Sequence, residues 1–208
     1  MYRGKRISVV IPCHNEEDGI AAVMAQMPPI IDEVVVVDNN STDRTAEVAT
    51  AAGARVVTET RKGYGYAHKA GYAAAKGDII VTMDGDGTYP PSSIELCVRV
   101  LITEKIDFMT ASRWRSKSDK SKSALRLIGN FVLSSATMAL FRRYLFDSQS
   151  GMWVFRRDAL PGFQPTADTM ALSQEIKILA FTNLVFWLGA ITCGRLLAYV
   201  GDVSGLSK

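Results

Sequence analysis

The 208 residues, 48% hydrophobic and 22% charged, are enough for one well-buried domain and have the balance of an ordinary globular protein. A formal net charge of +3 is too mild to point to nucleic acid. Three widely spaced cysteines, Cys13, Cys97 and Cys193, exclude a disulfide framework or a zinc site and favour a reducing, cytosolic compartment.

The basic start at residues 1–6 is followed by an apolar segment that Pro12, His14, Asn15 and Glu16 interrupt, so it does not read as a signal peptide. Ile7 to Ile11 is a β-branched run expected to form a strand, and Glu17 to Met27 has helical composition ending at Pro28-Pro29. Val34 to Val37 predicts a second strand, after which the polar turn 38–43 caps an Ala-rich helix running to about Ala52. Arg55 to Thr58 reads as a third strand, and a helix from near Tyr66 to Lys76 leads through Gly77-Asp78 into a fourth. Ile94 to Glu104 reads as a helix, Phe108 to Ala111 as a strand, and Leu125 to Leu140 as an apolar helix behind a basic run from Arg113 to Arg126. Strand-helix alternation predicts an α/β fold, a mostly parallel sheet with helices on both faces and ligands beyond the carboxyl ends of its strands. Pro12, Asp38 and Asp84 lie at three such ends. The uncharged stretch from Ile178 to Gly194 is slightly short for a membrane span and reads as a buried helix plus strand.

The fourth strand brings Asp84-Gly85-Asp86 to a turn, with Pro90 and Pro91 ending the strand. Two carboxylates one residue apart suit a hard divalent cation shared with a phosphate, and Gly85 leaves room for a bulky ligand against the backbone. Gly63-Tyr64-Gly65 opens like a dinucleotide fingerprint, but the third glycine would fall at His68 and the first strand has no glycine loop. His14 and His68 read as polar loop and helix residues rather than metal ligands.

Five motifs in order, from Val9 to Glu17, from Val35 to Thr45, Asp84-Gly85-Asp86, Ser112-Arg113-Trp114 and from Asp147 to Gly151, resemble the family 2 glycosyltransferases of the GT-A fold. Within these, the resemblance is to the polyprenyl-phosphate sugar transferases such as dolichyl-phosphate mannose synthase, over residues 6–182. It implies a single GT-A domain over residues 1–183 and a divergent apolar tail over 184–208. It also implies a nucleotide diphosphate sugar donor, a polyprenyl phosphate acceptor, Mg2+ or Mn2+, and peripheral placement on the cytosolic membrane face. The implied donor residues are Pro12, His14, Glu16, Val37, Asp38, Asn39, Lys62, Asp84, Gly85, Asp86 and Arg113, with Lys69 a further diphosphate contact. The metal falls to Asp84, Asp86 and Thr88; catalysis to Asp84, Asp86, Arg113 and Arg126; the acceptor to Arg126, Asn130, Ser150, Gly151 and Glu175. The family often has Asp where Asn39 stands, which leaves the base open. An ionised phosphate acceptor needs no general base, whereas a hydroxyl acceptor would require Glu175 or Asp147. Transfer to a soluble hydroxyl acceptor stays open as one alternative; past Asn183 the family's basic loop is not matched, which keeps nucleotide-sugar binding without turnover open as another.

Overall fold

The computed structural model describes residues 1–111 and 150–163. Six strands, β1 (Ile7–Cys13), β2 (Glu33–Asp38), β3 (Arg55–Thr58), β4 (Ile79–Thr82), β5 (Phe108–Thr110) and β6 (Trp153–Arg156), form one sheet in the order β3-β2-β1-β4-β6-β5. The pairs β1/β2, β1/β4 and β2/β3 are parallel, and β6 runs antiparallel to both β4 and β5. Among the described residues the helices are α1 (Glu17–Ala25), α2 (Thr45–Ala51), α3 (Tyr64–Ala74), α4 (Ser93–Thr103) and the single turn α5 (Leu160–Phe163), which a 3-10 turn at Arg157–Ala159 precedes.

Both faces of the sheet are covered, which is why its strands read as continuous apolar runs rather than alternating ones. Alternate residues still go to opposite sides. Val9, Ile11, Val36, Val81 and Val154 pack with Ile20 and Val23 of α1, Ala49 of α2 and Ile94, Val98 and Leu101 of α4. Val10, Val35, Val37, Ile80, Trp153 and Phe155 pack with Ala67 and Tyr72 of α3. Gly71 lets α3 lie close on the sheet: a Cβ there would collide with Val10 Cγ1.

The predicted elements are all found where the structure describes them, with three corrections. The fourth strand brings Asp84 and Asp86 to a turn as expected, but it ends at Thr82, and Pro90-Pro91 precede α4 instead of ending the strand. The sequence reading has no strand at 153–156, yet β6 lies between β4 and β5, held by Trp153 N–H donating to Thr82 Oγ1 and by regular pairing on both sides. His68 is the helix residue expected, in α3, but it does not meet solvent. It is fully buried, its ring stacked on Trp153 at 5.1 Å and bonded through Nδ1 to the Tyr72 hydroxyl at 3.1 Å. The expected helix at 125–140 and the stretch 178–194 lie outside the described residues, as does the tail 184–208. Among the described residues no helix is long and apolar enough to cross a membrane.

Candidate functional site

The chain winds from β1 outward to β3 and then crosses back to place β4 on the other side of β1. The winding therefore reverses between β1 and β4, and the loops leaving their carboxyl ends diverge to leave a crevice. A cavity of about 390 Å³ opens there, lined by Pro12, Cys13, His14 and Glu16 after β1, Asn39 after β2, Lys62, Gly63, Tyr64 and Ala67 at the start of α3, and Asp84, Gly85 and Asp86 after β4.

Local hydrogen bonding sews the first two loops together. Asn15 Oδ1 accepts from Thr42 N–H at 2.7 Å, Ser41 Oγ accepts from Asn15 N–H at 3.1 Å, and Thr45 Oγ1 accepts from Glu16 N–H at 2.8 Å. Asp43 accepts from the first amides of both helices, Thr45 at 3.0 Å and Glu17 at 3.2 Å, which satisfies donors that helix starts leave open. His14 Nδ1 is 2.9 Å from the carbonyl of Asn39.

The third loop is held from beneath. A Cβ on Gly85 would stand 2.9 Å from Cys13 Sγ, and one on Gly19 of α1 would stand 2.6 Å from the Gly85 carbonyl, so two glycines let this turn settle onto β1 and α1. Thr88 donates from N–H to Asp86 Oδ1 at 2.8 Å and from Oγ1 to Oδ2 at 2.7 Å, fixing the exposed Asp86 carboxylate. The Asp84 carboxylate lies against Gly151, whose N–H donates to Tyr89 Oη at 2.9 Å and whose carbonyl accepts from Thr82 Oγ1 at 3.1 Å.

Negative charge accumulates along this wall. Burial pushes the Cys13 thiol up to about 12, and Glu16, Asp38, Asp84 and Asp43 push it the same way. Burial also raises the Glu16 carboxyl, helped by Asp86 and Asp43 and opposed by His14. Hard oxygen donors in a surplus of negative charge fit a divalent cation. No group of three metal-ligating side chains is found among the described residues, so any such ion would complete its shell with ligand phosphate oxygens and water, as Mg2+ commonly does.

The structure thus brings Pro12, His14, Glu16, Asn39, Lys62, Asp84, Gly85 and Asp86 to one cavity. Asp38 and Thr88 stand behind this lining, one accepting from Ser41 N–H at 3.1 Å and the other bonded to Asp86. Val37, paired with Pro12 of β1 and Val57 of β3, is fully buried against α3 and is not part of the cavity lining; the next rung, Asp38 with Cys13 and Thr58, ends the sheet above it. Ser150 is fully buried too. Its hydroxyl bonds to the Ala111 carbonyl and to Tyr89 Oη at 3.1 Å, so it braces the turn at 150–152 and is not free for an acceptor. Lys69 is not part of the cavity lining. Arg113, Arg126, Asn130, Asp147 and Glu175 lie outside the described residues. Cys13, Tyr64 and Ala67 line the cavity without having been singled out. Cys13 lies inside the first motif and Tyr64 inside the Gly63-Tyr64-Gly65 run, whereas Ala67 carries no signal of its own.

Fold and crevice together define the GT-A class of nucleotide-sugar-dependent transferases. The chain belongs to the glycosyl transferase family 2, whose sequence profile matches residues 8–162. It is 34% identical over 180 residues to a dolichyl-phosphate hexose transferase of Haloferax volcanii, covering 85% of this chain and 77% of that one. An uncharacterized glycosyltransferase of Mycobacterium bovis is 38% identical over 157 residues, covering 76% and 70%. Among solved structures, glucosyl-3-phosphoglycerate synthase from Mycobacterium tuberculosis in complex with UDP matches with a TM-score of 0.70 at 30% identity, over 91% of this chain and 69% of that one. The same synthase with Mn2+, UDP and glucosyl-3-phosphoglycerate matches at 0.66 and 29%, with the same coverage. The chain is accordingly a glycosyltransferase that uses a nucleotide sugar.

Proposed function

We propose that this chain transfers a hexose from a nucleoside diphosphate sugar to a polyprenyl phosphate, with inversion and with Mg2+ or Mn2+, at the cytosolic membrane face. The observation that carries the reading is the placement of Asp84 and Asp86 at the β1/β4 switch point, on a turn whose glycine rests directly on Cys13. Asp84 and Asp86 would hold the metal, which when bound neutralises the departing diphosphate. Thr88 keeps Asp86 oriented, and Lys62 supplies a cation to the same cavity. Pro12, His14 and Glu16 shape the nucleoside end, and Asn39 lines the same cavity. Arg113 and Arg126 are assigned to the anionic acceptor, a guanidinium fork being suited to phosphate, and Asn130 and Glu175 are assigned to the same ligand. An acceptor phosphate is already ionised near neutral pH, so the chain's task is positioning and charge stabilisation. The named activity of the Haloferax volcanii relative supports the lipid acceptor.

A second reading, transfer to a soluble hydroxyl acceptor, is favoured by the similarity to glucosyl-3-phosphoglycerate synthase, which has been crystallised with phosphoglyceric acid. One experiment separates them. UDP-glucose and GDP-mannose are offered with Mn2+ to wild type and Asp86→Ala, with either polyprenyl phosphate or 3-phosphoglycerate as acceptor. Product on the lipid alone, lost in the variant and with chelator, supports the first reading; product on phosphoglycerate alone supports the second. Nucleotide binding without transfer to either would mean a binding protein without turnover.

A further inference from the structure

The position where the family often has Asp is occupied by Asn39, and the structure gives that amide a task a carboxylate could not perform. Asn39 Nδ2 donates to the carbonyls of Glu59 at 2.9 Å and Arg61 at 2.8 Å, while its Oδ1 accepts from Gly63 N–H at 2.9 Å. The opposite orientation of the amide would set oxygen against both carbonyls, so the hydrogen-bond pattern fixes this one. Asn40, which adopts a left-handed φ of 61° that asparagine tolerates, donates to Thr60 O at 2.7 Å and Glu59 O at 3.3 Å. Three consecutive carbonyls are thus gripped by two consecutive carboxamides. Glu59 closes the loop from the other side: its carboxylate accepts from Arg61 N–H, Nε and Nη2 at 2.8–2.9 Å, and its own N–H donates to Asp38 O at 2.9 Å. The residue this rigid loop presents is Lys62, which is exposed and lines the same cavity as Asp84 and Asp86. Asn39 itself is only 8% exposed, and both of its N–H donors are spent on the loop.

We propose that Asn39 and Asn40 are positioning residues of the donor site: they lock residues 59–63 so that Lys62 stands at the diphosphate, and Asn39 acts on the donor through that lysine instead of reading the base with its amide donors. This rests on the reading of the cavity as the donor site. A carboxylate at 39 would keep the Gly63 bond but leave the Glu59 and Arg61 carbonyls facing an acceptor, and the loop would release.

The test measures the affinities of UDP, GDP and uridine, with Mn2+, for wild type, Lys62→Ala, Asn39→Asp and the double variant, with Asn40→Asp as the second single variant and thermal melts to verify folding. Lys62→Ala should weaken UDP at least tenfold and uridine little. Asn39→Asp and Asn40→Asp should reproduce that pattern with the UDP to GDP ratio unchanged, and the double variant should bind UDP no more than about threefold more weakly than Lys62→Ala alone. The inference is overturned if Asn39→Asp shifts the UDP to GDP ratio, weakens uridine as much as UDP, or multiplies with Lys62→Ala. Unchanged UDP affinity in Lys62→Ala overturns it as well. Absence of nucleotide binding by wild type would remove the donor-site reading itself, and the inference with it.

Discussion

Replacing Gly151 by alanine tests the link between the β6 entry turn and the carboxylate that the proposal puts on the metal. A Cβ at 151 would stand 2.5 Å from Asp84 Oδ2, 2.8 Å from Oδ1 and 2.9 Å from Cγ. The backbone of Gly151 cannot retreat, being bonded to Tyr89 Oη on one side and Thr82 Oγ1 on the other. Its φ is not positive, so alanine pays no conformational penalty and the contact is the whole effect. The Asp84 carboxylate must then swing away by about 1 Å to reach ordinary van der Waals distance, a displacement of the size that costs on the order of 100-fold when it affects a reacting constellation. The group that moves is the end of a side chain at the cavity wall, so stability should fall by no more than about 1 kcal/mol, below the usual range for overpacking a core. We expect Gly151→Ala to lower kcat/KM for sugar transfer roughly 100-fold and to weaken Mn2+-dependent UDP binding, with a melting temperature within a few degrees of wild type. Transfer within about threefold of wild type would refute the argument, as would an activity loss that merely follows the fraction unfolded.

Gly71→Ala should behave in the opposite way, losing about 1–3 kcal/mol in urea unfolding while keeping its activity per folded molecule, because the new methyl meets the buried, branched Val10 and Val37. Burial pushes the His68 imidazole down to about 3, whereas the unfolded chain takes up that proton near its ordinary 6.5. Stability should therefore fall as pH drops from about 6.5 towards 3, by at most about 1.4 kcal/mol per pH unit, and His68→Phe should flatten that slope; an equal slope in the variant would contradict this. Cys13, 2% exposed and with its thiol raised to about 12, should resist iodoacetamide at pH 8 in the folded protein and react on unfolding, which mass spectrometry of the alkylated peptide would read.

The order of β1 to β4 and the helices between them was legible in the sequence because each is specified locally. β-branched runs such as Val34 to Val37 have no competing local structure, and Pro12 and the polar turn 38–43 mark their ends. Parallel connection then follows from alternation alone, and with it the expectation that Asp38 and Asp84 lie near one crevice. What tertiary structure decided are contacts between residues distant in the chain, for which local pattern carries no signal. Trp153–Arg156 becomes a strand because β4 and β5 offer it hydrogen-bonding edges on both sides, a pairing that its own local pattern does not announce. His68 looked polar because its type usually is; its burial comes from Tyr64, Tyr72 and Trp153 closing around it. Asn39 was marked as a donor-site residue by resemblance, but that its amide grips the 59–63 backbone depends on how far β3 runs beside β2. Sequence by itself thus determined which groups stand at the strand ends. The close packing of Gly151 against Asp84 and of Gly85 against Cys13 determined where the reactive atoms point, since a side chain's direction is set by the neighbours that exclude it from everywhere else.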